Sequence, residues 1–126
     1  MKQIIVIGLG GFLGAIMRYG LSSFVQFALH NVNFPYGTLV VNLLGCFVIG
    51  LLSALAELRP FPPELRAFLI IGLLGAFTTF STFSNESLNL LRGGENHLCL
   101  INIGAHLIAG LGMVWMGRLL AGQIWS

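Results

Sequence analysis

Four long apolar stretches, each interrupted by a few polar residues at helical spacing, take up almost the whole chain. They run approximately over Ile4 to Leu29, Tyr36 to Ala56, Ala67 to Leu91 and His97 to Ala121. A helix needs roughly 20 apolar residues to cross about 30 Å of hydrocarbon, so each stretch predicts one transmembrane helix. The polar positions fall on lines. In the first span Arg18, Ser22 and Gln26 repeat at i, i+4; in the second Thr38 and Asn42 do so, with Gly45 on the same side. In the fourth, Asn102, His106 and Gly110 make a similar line. The first span also carries the pair Gly10 and Gly14, a G-x-x-x-G spacing that lets helix backbones approach closely in lipid.

The segments between spans are short. Asn31 to Pro35 reads as a turn, with Pro35 placed to start the next helix. Glu57 to Arg66 contains Pro60, Pro62 and Pro63, reads as a hydrophilic loop, and divides the chain into two hairpin halves. Arg92 to Asn96 reads as a tight polar turn. The expectation is one membrane domain over residues 1–126.

The third span departs from this pattern. From Gly75 to Glu86 it reads G-A-F-T-T-F-S-T-F-S-N-E, with hydroxyls at Thr78, Thr79, Ser81, Thr82 and Ser84 set between Phe77, Phe80 and Phe83. An unpartnered polar group in hydrocarbon costs several kcal/mol, so such a cluster faces protein, water or an ion. Gly72 and Gly75 precede the β-branched pair Thr78-Thr79, where helix propensity is poor. A break in the helix is expected there, and non-helical backbone in a membrane requires protein or a cavity around it.

Composition agrees with the membrane reading. The chain is 56% apolar and 8% charged, with a mean hydropathy of +0.92, whereas soluble domains carry about a quarter charged residues. Lys2 followed by an apolar run imitates a signal peptide, but the run continues past Met17 without a small-x-small cleavage pattern, so it reads as a retained span. Cys46 and Cys99 lie inside spans and read as free thiols, with no disulfide or zinc spacing. A net charge of +2 without a basic run gives no footing for nucleic acid. Catalytic signatures such as H-E-x-x-H and G-x-S-x-G are missing, and Glu86 has no second acid beside it within a span. An enzyme is not expected.

Transport or conduction suits the residues better. Asn42, Ser81, Thr82, His106 and Arg18 are mostly hydrogen-bond donors, which suit an anion. Phe80 and Phe83 could add the positive edges of their rings without the tight binding of a lysine. Each residue has a plainer reading beside this one. Arg18 could snorkel to the headgroups, Asn42 could make an interhelical hydrogen bond, and His106 could be a packing residue. A break at Thr78-Thr79 would free carbonyls that need donors or a cation. Four glycine-rich helices fill their own centre by packing, so a homo-oligomer, most simply a dimer, is expected.

Three stretches carry a resemblance to a known family: G-x-x-G-A-x-x-R-Y over Gly11 to Tyr19, G-T-L-x-V-N over Gly37 to Asn42, and the Gly75–Glu86 stretch. The chain resembles the Fluc (CrcB) fluoride channels over nearly its full length. The resemblance implies an all-α integral membrane fold with four transmembrane helices and a broken third helix. It also implies an antiparallel, dual-topology homodimer with two fluoride pores and one central structural Na⁺. Carried across by motif, Gly75 and Thr78 would supply carbonyls to the Na⁺. Phe80 and Phe83 would form the phenylalanine box and Asn42 would be the pore asparagine. Ser81, Thr82 and His106 would belong to the polar track, Glu86 would end it, and Arg18 would be the vestibule arginine. Where relatives often have a serine one turn beyond the histidine position, this chain has Gly110.

The implied role is passive export of F⁻ across a lipid bilayer, in a bacterium the inner membrane, with fluoride and a second copy as partners. With the N-terminus cytoplasmic, Lys2, Arg59, Arg66 and Arg118 lie on its side against Arg92 and Arg18. That tilt is not the near-zero bias of dual topology, so antiparallel assembly rests on the resemblance. Two rivals remain. A small multidrug-type four-span transporter would need an acidic residue in the first span, which has none. A non-transporting assembly subunit would use its polar residues only to join helices.

Overall fold

The computed structural model describes residues 1–30 and 33–125, and among these every regular element is helical. Helix α1 covers Lys2–Ala28 and α2 covers Tyr36–Leu58. The third span, Pro63–Arg92, consists of α3 (residues 63–77) and α4 (Phe80–Arg92), with Thr78 and Thr79 between them. Helix α5 covers Asn96–Trp125. All four spans are long and apolar enough to cross a bilayer, and the chain is a multi-pass membrane protein.

The expected boundaries need one correction. The hydrophilic segment over residues 57–66 is not all loop. Helix α2 continues through Leu58 and α3 starts at Pro63, because proline at the first helical position lacks only a donor that has no helical partner anyway. Of the turn expected over residues 31–35, Asn31 and Val32 lie outside the described residues. The turn after α4 forms over Gly93–Glu95, where Gly94 adopts φ +80°, a conformation open to glycine at little cost.

Small residues set how closely the helices meet. Gly10 and Gly14 on α1 are buried against α3. A Cβ at Gly10 would run into the Phe68 carbonyl and lie 3.2 Å from the Gly72 Cα, and a Cβ at Gly72 would lie 3.1 Å from the Gly10 Cα. Gly72 is therefore a packing position and not a hinge: it lies within the helical run Ala67–Leu74. Because the obstacles are backbone atoms, Gly72→Val should force α1 and α3 apart and cost about 1–3 kcal/mol. Unfolding in detergent, followed by circular dichroism, checks this; an unchanged transition would show that the contact carries no stability.

Between α2 and α5 the same device recurs, Gly50 meeting Val114 and Gly117 meeting Phe47. The packed centre is Val41, Leu74 and Phe77, with Leu21, Val48, Ile49, Leu52 and Leu73 around it. It lies just before the end of α3 and holds the broken segment against α2.

Candidate functional site: a helix break beside two cavities

The break falls at the expected pair. Thr78 has φ −86° and ψ 158° and Thr79 φ −152° and ψ 118°, both extended. At the end of α3 the Leu74 carbonyl is satisfied locally, since the Thr78 N–H and Oγ1 both donate to it, at 3.0 and 2.9 Å. The start of α4 is capped by Thr79, whose Oγ1 accepts from the Thr82 N–H at 3.2 Å. The Thr79 Oγ1 also donates to the Thr82 hydroxyl at 3.0 Å and lies 3.3 Å from that of Ser81.

What replaces the missing helical bonds is the side chain of Asn42. Extended backbone points the N–H and C=O of one residue to the same side, and the Asn42 amide pairs with both. Its Oδ1 accepts from the Thr79 N–H at 2.8 Å and its Nδ2 donates to the Thr79 carbonyl at 3.0 Å. The second Nδ2 hydrogen faces His106 Nε2 at 3.1 Å, while His106 Nδ1 lies 2.9 Å from the Asn102 carbonyl. Both plain readings of Asn42 and His106 thus hold in part: each makes an interhelical or intrahelical bond. Asn42 keeps no free amide hydrogen in this arrangement.

His106 sits in a π-helical stretch, Ala105–Ala109. The Asn102 carbonyl, which also accepts from the Ala105 N–H, takes the His106 Nδ1 as a further donor. Phe83, buried at 7% exposure, lies against the His106 ring at a centroid distance of 4.2 Å. Phe80 is 5.5 Å from Phe83 between centroids but is 77% exposed. The two phenylalanines expected to act as a pair therefore differ: one is packed inside the chain and the other lies on its open face. Ser81, Thr82 and Gly75 are on that open face as well.

Two cavities flank these residues. A cavity of about 340 Å³ is lined by Asn42, Cys46, Thr78, Thr79, Phe80, Phe83 and His106 among others, and by Gly75. The Gly110 position borders Cys46, its absent Cβ falling 3.6 Å from the thiol sulfur. A larger cavity of about 860 Å³ is lined by Ser22, Gln26, His30, Thr38, Glu86 and Asn89 among others. Thr38 lies one turn from Asn42 on α2, and Glu86 one turn from Phe83 on α4, so the cavities follow one another along the same two helices. Thr38 Oγ1 donates to Glu86 Oε1 at 2.8 Å, and Glu86 Oε2 is shielded without a hydrogen-bond partner.

Gln26 closes the far side of the larger cavity. Its Nε2 donates to the Phe34 carbonyl and its Oε1 accepts from the Gly37 N–H, at 3.0 and 3.1 Å. Arg18 does not join the group. It is half-buried on α1, one turn before Ser22, lines neither cavity, and has no hydrogen-bond or ion-pair partner among the described residues.

The fold gives three polar residues roles that sequence reasoning did not assign. Thr79 is the hub of the break, but it acts through its backbone, which no side-chain pattern reveals. Ser87 and Asn102 form a buried pair, Asn102 Nδ2 donating to Ser87 Oγ at 2.9 Å and Ser87 Oγ to the Phe83 carbonyl at 2.8 Å. Their signal was present, since both are polar residues inside spans.

The family model described as "CrcB-like protein, Camphor Resistance (CrcB)" matches residues 5–118. The chain is 46% identical over 118 residues to a protein of Shewanella frigidimarina named "Fluoride-specific ion channel FluC", covering 94% of each chain. It is 48% identical over 122 residues to "Fluoride-specific ion channel FluC 1" of Methanosarcina acetivorans, covering 96% of this chain and 92% of that one. With a match of this extent across all four spans, the chain belongs to the CrcB-like family.

Proposed function

We propose that this protein is a passive fluoride channel and catalyses no reaction. The observation that carries the reading, beside the relatives' names, is the break in the third span and the two opposite helix ends it creates. The end of α3 offers carbonyls, the negative pole of a helix, and the start of α4 offers N–H groups, the positive pole. At α4 the first-turn N–H of Thr82 is taken by the Thr79 cap, while those of Phe80 and Ser81 precede any possible helical acceptor. An anion passing the 340 Å³ cavity meets this positive end together with the edges of Phe80 and Phe83. Asn42 lines that cavity with His106 behind its amide, Ser81 and Thr82 lie exposed on the first turn of α4, and Glu86 lines the larger cavity. Arg18, one turn before Ser22 and outside both cavities, would serve as a vestibule cation.

The residues also suit a structural Na⁺. Continuation of the helix would aim the Thr79 N–H at the Gly75 carbonyl, but that N–H is bound to Asn42. Gly75 thereby loses its helical partner, and it lies exposed beside the small cavity. Thr78, extended, turns its own carbonyl off the helix axis. Hard oxygen donors of this kind fit an alkali cation. When bound, the ion neutralises the carbonyl end of α3 and so holds the break open.

Assembly as a homodimer follows from what a single chain leaves uncovered. Ser81, Thr82, Ser84 and Asn85 are exposed on α4 within a membrane-spanning segment. The Ser84 hydroxyl is bonded to the Phe80 carbonyl and those of Ser81 and Thr82 to Thr79, but polar groups left without a partner in lipid cost several kcal/mol each, and a second copy in antiparallel, dual-topology contact would cover this face and bring a second set of carbonyls to the Na⁺. Liposomes carrying the protein are expected to release fluoride and retain chloride. Equal leakage of both anions, or release of neither, would overturn the channel reading.

A further inference from the structure

We infer that His106 is a positioning residue: it acts through Asn42 to hold the backbone of Thr79 in its extended form, and does not itself contact the anion. The inference rests on the channel reading only for its flux test. The orientation of the ring is fixed before it meets Asn42. A carbonyl can only accept, so His106 Nδ1 carries the hydrogen that goes to the Asn102 oxygen at 2.9 Å. Phe83 fixes the ring plane from the side, with centroids 4.2 Å apart. In this tautomer Nε2 is an acceptor, and it faces the Asn42 Nδ2 at 3.1 Å.

The consequence for Asn42 is a choice of direction. An asparagine amide can be turned over, exchanging its oxygen and nitrogen. Turned over, it would set a lone pair of Oδ1 against the lone pair of His106 Nε2. It would also oppose Nδ2 to the Thr79 N–H and Oδ1 to the Thr79 carbonyl. His106 therefore favours the one orientation in which all three partners are satisfied, at 2.8, 3.0 and 3.1 Å. Because Thr79 caps α4, the same orientation sets where Phe80 and the first turn of α4 begin. A histidine that met the anion directly would need a free N–H on the cavity side, and the acceptor role of Nε2 removes it.

The test uses variants that separate the two ring nitrogens. His106→Gln places an amide oxygen where Nε2 was and keeps an acceptor for Asn42. His106→Asn reaches only as far as Nδ1 and keeps the donor to Asn102 alone. His106→Leu has neither. Fluoride efflux from liposomes and hydrogen exchange at the Thr79 amide in the solubilised protein are measured for each. Expected are efflux and Thr79 exchange within about threefold of wild type for Gln. For Asn and Leu, at least a tenfold loss of efflux and a tenfold faster Thr79 exchange are expected.

Loss of efflux in Asn and Leu with Thr79 exchange unchanged would overturn the inference and make His106 an anion contact. So would a Gln variant as impaired as Leu, or a Leu variant that conducts normally. If the wild-type protein released no fluoride at all, the channel reading would fail on its own. The exchange comparison would still decide whether His106 holds Thr79 through Asn42.

Discussion

Phe80→Ile is expected to lower fluoride efflux from liposomes by more than about tenfold, a rise of roughly 1.4 kcal/mol in the barrier, while leaving the fold unchanged. The Phe80 ring is 77% exposed in the single chain, so its removal empties no packed core. What it removes is the positive ring edge beside the N-terminal end of α4, which isoleucine, with no quadrupole, cannot replace. Phe83→Ile should lose efflux to a similar extent but for two combined reasons. Phe83 is 7% exposed and lies against His106, so its loss also loosens the ring that Asn42 leans on, with a stability cost on the order of 1 kcal/mol. Efflux measured beside the unfolding transition separates the effects, because Phe80→Ile should change only the first. Normal conduction by both variants would remove the aromatic-edge role.

Asn42→Ala should be the most damaging single change in the second span, and it should act on stability as well as on flux. The Thr79 N–H would lose its partner inside a membrane-spanning segment, while the Thr79 carbonyl, at the N-cap of α4, would keep the first helical bond and lose only its second donor. At about 1–3 kcal/mol for a group left unsatisfied, the loss is roughly 1–3 kcal/mol. Asn42→Asp tests the division of labour, since a carboxylate keeps the acceptor for the Thr79 N–H but supplies no donor for the Thr79 carbonyl or for His106 Nε2. Its unfolding transition should fall between those of the wild type and Asn42→Ala, and its efflux should be lost with the donors. Should Asn42→Ala unfold at the wild-type temperature, the break would have to be held by something other than this amide.

These expectations treat the third span as two helices with opposed ends and not as one helix with a weak point. An unbroken helix would bury the dipoles of its middle turns in its own hydrogen bonds and would present neither ion with a partner. The break at Thr78 and Thr79 exposes a carbonyl end and an N–H end within a few residues of each other. On the proposed reading, one local departure from helical geometry would provide for a resident cation and a passing anion together.

The spans, their order and the place of the break were legible in the chain itself. Hydropathy determines spans because each must satisfy its backbone internally and match the thickness of the hydrocarbon. The pair Thr78-Thr79 marked the break because β-branched hydroxyl residues lower helix propensity and offer a cap, and Thr79 is indeed the cap of α4. The boundary after α2 was harder to read, since proline at a helix start and proline in a loop look alike without the backbone around them.

What only the tertiary structure decided is which groups meet across the spans. Asn42 and Thr79 are far apart in sequence, and nothing in local propensity says that an amide on α2 takes up the backbone released by α3 and α4. The same holds for the unequal exposure of Phe80 and Phe83, for Thr38 meeting Glu86, and for Arg18 standing outside both cavities. Periodicity places a residue on a face of its own helix; the close approach of backbones at Gly10 and Gly72 and at Gly50 and Gly117 decides what that face touches.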